Sequence, residues 1–235
     1  MGRSAARHYT RLHVQRRLLV LNEMDESALA YHSPTAFLLR GADTGRLKAA
    51  FQGLCDRHES LRTSFVVTNG QVVQRIAQDV EAPVMVMRVA DLTDDTRRDL
   101  WRDFVRPFDL ANAPLARLLL AEGPGSETLL LLDIHHIISD GVSMGVLLED
   151  FAALYLGEAV PVPTRPARRS PAADAKAAAR TTQDGQPLHS FHSLPEHVAL
   201  VSRNPITIAT PAGPVTVTRV SQPTPVVPSR KKPSA

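Results

Sequence analysis

The run Leu129-Leu130-Leu131-Leu132-Asp133-Ile134 passes directly into His135-His136-Ile137-Ile138-Ser139-Asp140-Gly141, and that loop passes directly into a helical pattern from Val142 to Leu156. No other stretch limits the fold as strongly. A short, largely apolar run of this kind predicts a buried strand. The segment after it has the length and spacing of an amphipathic helix. A buried strand feeding a helix is the unit of α/β architecture, and loops at strand ends are where such folds place their chemistry. The chain must therefore build a sheet with helices packed on it. Two histidines, an aspartate and a glycine mark one strand-to-helix junction.

The remaining patterns fit the same class. Val14 to Met24 predicts a short helix, and Thr35 to Leu39 a strand that stops at Gly41. Thr44 to His58 places Leu47, Ala50, Phe51, Leu54 and Cys55 on one helical stripe. Leu61 to Val67 and Val72 to Ile76 flank Asn69-Gly70, a strong hairpin signal. Val84 to Val89 predicts a strand and Asp91 to Phe104 a charged helix. Leu115 to Leu120 and Thr128 to Ile134 are two further strands, parted by Gly123-Pro124-Gly125. The order predicts α/β with a mixed sheet and no internal repeat.

Composition divides the chain near residue 160. Residues 1–160 carry 17 Lys and Arg against 21 Asp and Glu, a net charge of −4, whereas 161–235 carry 10 against 3, a net of +7. The acidic first part gives no electrostatic case for nucleic acid. Thirteen of the 18 prolines lie at or beyond Pro161, so 161–235 reads as a Pro-rich basic tail, mostly disordered. Within it, Ile206 to Thr210 and Val215 to Thr218 flank a Pro-Ala-Gly-Pro turn and are able to pair, although an isolated hairpin is marginal in water. A single cysteine, Cys55, excludes an internal disulfide and a multi-cysteine metal site, and its helical position reads as core. No run approaches the roughly 20 apolar residues of a membrane span. No secretory signal pattern opens the chain, so a cytoplasmic protein that meets neither membrane nor nucleic acid is the expectation.

The junction itself admits several chemistries. A neutral imidazole accepts a proton near physiological pH. Adjacent histidines at a strand end point opposite ways, one toward a substrate and one into the protein. Asp140 stands where a helix cap is favoured, and Gly141 lets backbone come close to another segment. The same residues also suit a purely structural turn, or two ligands of a metal site whose third ligand is not evident. A second cluster, Arg57-His58-Glu59-Ser60-Leu61-Arg62-Thr63-Ser64-Phe65, ends one helix and opens a strand. One of its arginines, turned inward, would pair with Asp140 and brace the histidine loop.

Together, Arg57-His58-Glu59-x-Leu61-Arg62-Thr63-x-Phe65 and His135-His136-x-x-x-Asp140-Gly141 at this separation resemble the condensation domain of non-ribosomal peptide synthetases. Gln15-Arg16-Arg17-Leu18, the strand through Phe37 and the helix Val142 to Tyr155 resemble that family too, so the likeness covers roughly 12–158. The resemblance implies a lobe like that of chloramphenicol acetyltransferase, a mixed sheet with packed helices, at 9–160. It implies acyl transfer that forms an amide between an acyl or peptidyl thioester and an aminoacyl thioester. Both would be presented on the phosphopantetheine arms of peptidyl or acyl carrier proteins or adjacent synthetase modules, with no cofactor or metal bound directly. By position His136 would deprotonate or orient the attacking amine and His135 would be structural. Asp140 would pair with Arg57 or Arg62, and Gly141 would keep space beside the reacting centre.

The family's second lobe has no counterpart after Gly157-Glu158, where Pro161-Val162-Pro163 opens the tail, and no later segment is expected to join the first sheet. The expectation is thus a truncated condensation lobe, its activity dependent on a second-lobe polypeptide. Two alternatives stand beside it: a catalytically dead remnant or carrier-interaction module, and an O-acyltransferase of the same superfamily.

Overall fold

The computed structural model describes residues 7–9, 13–24, 29–160, 205–210 and 212–221. Its elements follow the predicted order closely. They are β1 (Arg7–Tyr9), α1 (His13–Met24), β2 (Thr35–Arg40), α2 (Thr44–Arg57), β3 (Thr63–Thr68), β4 (Gln71–Ile76), β5 (Val84–Arg88), α3 (Asp94–Phe104), β6 (Ala116–Glu122), β7 (Glu127–Ile134), α4 (Gly141–Leu156), β8 (Ile206–Thr210) and β9 (Gly213–Val220). A single 3-10 turn, Glu59–Arg62, joins α2 to β3, so β3 begins two residues later than its apolar pattern suggests. Helix α3 begins at Asp94 because Thr93 caps it, its side chain accepting from the Thr96 amide. The Asn69-Gly70 pair turns β3 into β4 with both residues at positive φ, 51° and 71°, the geometry of a type I′ turn.

The strands form two sheets. Six run in the order β5-β6-β7-β2-β9-β8, and three in the order β1-β4-β3. The larger sheet is mixed: β5 and β6 are parallel, with α3 in the crossover between them, and the other neighbours are antiparallel. Both of its faces are covered, which is why β7 is buried at seven of its eight positions instead of alternating. On one face Phe37, Leu118, Leu120, Leu130 and Leu132 pack against α2 and α4 through Leu47, Phe51, Leu54, Leu147 and Phe151. On the other, Ala36, Leu119, Leu129 and Leu131 meet α3 through Leu100, Trp101 and Phe104. A third cluster ties Leu19 of α1 to Phe65 and Val72 of the small sheet and to Ile137 of the histidine loop. Each fully buried Leu or Phe contributes about 1.5–3 kcal/mol. The α/β lobe with a mixed sheet expected from the sequence is the fold observed.

The tail departs from expectation in one respect. The expected disorder falls largely on 161–204 and 222–235, which lie outside the described residues. Between them, β8 and β9 form the hairpin that the pattern allowed, and it is not isolated. Strand β9 pairs antiparallel with β2 from Ala36↔Val220 to Arg40↔Thr216. A later segment therefore does join the first sheet, contrary to the sequence reading. Strand β2 would otherwise be an edge rich in apolar residues, and Val215 and Val217 alternate inward to enter the main core at 4% and 6% exposure. Val217→Asp is expected to detach the hairpin and cost about 2 kcal/mol, the burial worth of one valine. Hydrogen exchange checks this: β2 amides facing β9 should lose protection while the β6–β7 ladder keeps it.

Candidate active site

The junction of β7 and α4 is held by backbone bonds from three directions. The His135 amide donates to Leu115 O at 3.0 Å, the His136 amide to Tyr31 O at 2.8 Å, and the Ile138 amide closes the turn onto His135 O at 3.1 Å. The Ser139 hydroxyl also donates to His135 O at 3.2 Å. His32 and His135 face each other in a single antiparallel bridge, so the segment before β2 and the end of β7 share one register at the site.

The two histidines part company here. His135 is fully buried. Its Nδ1 accepts from the Ile137 amide at 3.0 Å, which leaves Nε2–H to donate to Asn22 Oδ1 at 3.3 Å. Burial first, and then neighbouring His32, push its pKa down to about 4, so the ring is neutral at physiological pH. His136 is exposed. Its Nδ1 lies 3.3 Å from Ser139 O, an acceptor only, so this contact favours the proton on Nδ1, which in the neutral ring leaves the lone pair on Nε2.

Asp140 is the N-cap of α4 in a full capping box: its carboxylate accepts from the Ser143 amide at 2.8 Å, and its own amide donates to the Ser143 hydroxyl at 2.7 Å. Those contacts, the Ser143 amide foremost, hold its pKa below the ordinary carboxylate range. The expected ion pair of Asp140 with Arg57 or Arg62 is not formed. Arg57 Nε donates to Asp150 Oδ2 at 2.8 Å, and His58 Nε2 sits 2.7 Å from the same oxygen. Arg62 reaches three carbonyls, bonding Cys55 O at 3.1 Å, Gln78 O at 3.0 Å and also Ala77 O. The reason is local: a cap already satisfies Asp140 at the solvent-facing end of α4, whereas half-buried Asp150 lies where α2 packs against α4. The arginine cluster thus clamps the body of α4, and the helix carries the loop. Gly141 begins α4 in open space; a Cβ there would meet nothing within 4 Å, so no described segment approaches it closely.

Sequence reasoning missed the layer beneath the histidines. Asp133 is fully buried. Its Oδ2 accepts from His32 Nδ1 at 2.8 Å and from Arg117 Nη2 and Nε at 2.8 and 3.1 Å. Arg117 and Asp133 are direct register partners on β6 and β7. The signal was present: one arginine and one aspartate each interrupt an otherwise leucine-rich strand, and a buried charge needs a partner.

Among the described residues no group of three His, Cys, Asp or Glu side chains is placed to hold a metal ion, and no helix is long and apolar enough to cross a membrane. Cys55 is buried, which with Asp56 beside it pushes its thiol up to about 12 and removes it as a nucleophile.

Known proteins resemble this chain in sequence and in fold. A family model described as condensation domain matches residues 5–174. The chain is 43% identical over 151 residues to surfactin synthase subunit 2 of Bacillus subtilis (strain 168), covering 64% of this chain and 4% of that protein. It is 43% identical over 145 residues to tyrocidine synthase 3 of Brevibacillus parabrevis, covering 61% of this chain and 2% of the relative. Among solved structures, the condensation domain of the monacolin K polyketide synthase MokA superposes with a TM-score of 0.58 at 18% identity, covering 67% of this chain and 36% of its own. The first condensation domain of the CDA synthetase gives 0.55 at 22% identity, covering 68% and 43%. The chain spans less than half of each solved chain and a few per cent of each curated synthase.

Proposed function

The chain belongs to the condensation-domain family, and from that premise we propose that its β7–α4 junction serves amide-forming acyl transfer between thioesters carried on phosphopantetheine arms of carrier proteins. The observation that carries this reading is the split between the histidines. Of the two junction histidines only His136 presents an unengaged ring nitrogen at an accessible surface, and Ser139 O favours the proton on the opposite nitrogen. In the proposed step the acceptor amine attacks the donor thioester carbonyl. The C–N bond forms, the C–S bond breaks, and the sulfur leaves as thiolate. The amine's surplus proton goes to His136 Nε2 and from there to the thiolate. The junction needs no nucleophilic side chain for this.

Asp140 and the capping box fix where α4 begins, and Arg57 with Asp150 fixes how α4 sits on α2. Each supports His136 through the backbone. The open junction leaves a second lobe to supply proximity and exclusion of water.

The test mixes the full chain with a separately expressed second lobe of a relative and with loaded donor and acceptor carriers, and follows amide product by mass spectrometry. The complemented pair is expected to form amide, and His136→Ala to slow it by about 10²-fold or more. Product formation indifferent to His136→Ala rejects the catalytic role. A complemented pair that binds carriers but forms no amide identifies the chain as a carrier-docking module. Ester formation from a hydroxyl acceptor, in preference to amide, makes it an O-acyltransferase.

A further inference from the structure

We propose that His32 is a positioning residue for the junction, the template on which the His135 ring, and through it the His136-bearing turn, is set. This deepens the preceding reading and rests on His136 being the residue that handles the amine. His32 lies in no pattern that the sequence marks as functional, and its side chain is 1% exposed. Three groups close a ring of contacts with it. His32 Nδ1–H donates to Asp133 Oδ2, Asp133 holds Arg117, Arg117 Cζ lies 4.0 Å over the centre of Phe108, and Phe108 stacks on His32 at 4.9 Å with the planes 22° apart. The His32 ring therefore has little freedom to turn or slide.

His135 is packed on that assembly edge-on. Its ring meets His32 at 5.6 Å and 68°, and Phe108 at 6.2 Å and 82°. The backbone makes the same connection. His32 is flanked by two bonds to the β7 end: Tyr31 O receives the His136 amide at 2.8 Å, and the Ser33 amide donates to Ile134 O at 2.9 Å. The residue that orients His135 through its ring thus sits between the two residues whose backbones bond the strand end.

The cluster also carries a cost that stability alone does not explain. His32 Nε2 and Asp133 Oδ1 are buried with no hydrogen-bond partner among the described residues. Orphaned buried polar atoms are rare in native interiors, and an apolar pair of the same volume would leave none. What the polar cluster adds is orientation: a hydrogen bond fixes the plane of His32, and that plane fixes His135.

The groups that face His135 are His32, Asp133 and His136, with Asn22 on its Nε2. His32→Asn keeps a donor toward Asp133 and removes the ring, and His32→Phe keeps the ring and removes the donor. The full chain is followed by histidine side-chain NMR across pH 3.5–8 and by amide exchange. In His32→Asn the His135 titration is expected to rise from about 4 toward its ordinary range. The His136 amide should exchange at least tenfold faster, and the His136 ring should lose its uniform Nδ1–H tautomer. The β2 and β6–β7 amides away from the junction should keep their protection. His32→Phe, which keeps the stacked ring but not the hydrogen bond that fixes its plane, is expected to restore the slow His136 exchange only in part.

An unchanged His135 titration with unchanged His136 exchange in His32→Asn overturns the proposal. So does a uniform acceleration of exchange across β2 and β7, which makes His32 a stability residue only. These readouts need no turnover. A result in which His32→Asn frees the turn while the complemented His136→Ala chain still forms amide therefore rejects the functional reading by itself.

Discussion

Lowering the pH from 7 to 4 is expected to remove about 3 kcal/mol of folding stability through one side chain, His135. Burial and the nearby His32 bring its folded pKa from 6.5 down to about 4. Between those values the unfolded chain binds a proton that the folded chain refuses. The unfolded state therefore gains on acidification, and stability rises with pH across the window. The contribution is present in full above about pH 6.5 and is lost progressively toward pH 4. Asp140 and Asp91, whose carboxylates are held low by hydrogen bonds, add their own loss as the pH falls through the ordinary carboxylate range and below it. Urea titrations at pH 7, 6, 5 and 4 measure the slope. His135→Asn is expected to flatten it, at a constant cost in stability at neutral pH. A wild-type profile flat from 7 to 4 would show that the buried ring accepts its charge freely, against the burial that surrounds it.

The second large effect is expected at Asp133. Asp133→Ala should cost about 3–5 kcal/mol, the range for removing one partner of a buried ion pair. The carboxylate is fully buried and serves His32 and both Arg117 donors. Without it the Arg117 guanidinium, 14% exposed, keeps its stacking on Phe108 and its bond to Arg106 O but has no counter-charge. Asp133→Asn preserves volume and one acceptor and is expected to fall between the two. Chemical denaturation of the three chains gives the order. A cost below about 1 kcal/mol for Asp133→Ala would mean that Arg117 finds solvent easily, and the cluster would not be the buried anchor described.

Much of the architecture was legible because its signals are local. The i, i+3, i+4 stripe of Leu47, Phe51 and Leu54 and the uninterrupted leucines of β7 state which side of each element is buried, and the helix and strand follow. Asn69-Gly70 states its own turn, since both positions need positive φ. Asp140 and Ser143 state their own cap from three residues apart. The His135–Gly141 loop was visible for the same reason: its residues are contiguous.

What remained hidden is pairing across distance. The strand before His135 announces a buried aspartate but not that its partners are Arg117, 16 positions away, and His32, 101 positions away. The arginines at and just beyond the end of α2 announce a need for carboxylate. Asp140 and Asp150 both lie in reach of that pattern, and only the packing of α2 on α4 selects Asp150. The valines of β9 alternate as any amphipathic strand does, and only the open edge of β2 makes them core. Periodicity encodes which face of an element leaves water, because that follows from backbone geometry one turn or one pleat at a time. Which buried face or charge meets which is settled only when all the elements compete for the same contacts. The strand, loop and helix around the two histidines were therefore determined by sequence alone, and the layer that holds one ring neutral and leaves the other exposed was decided by the tertiary fold.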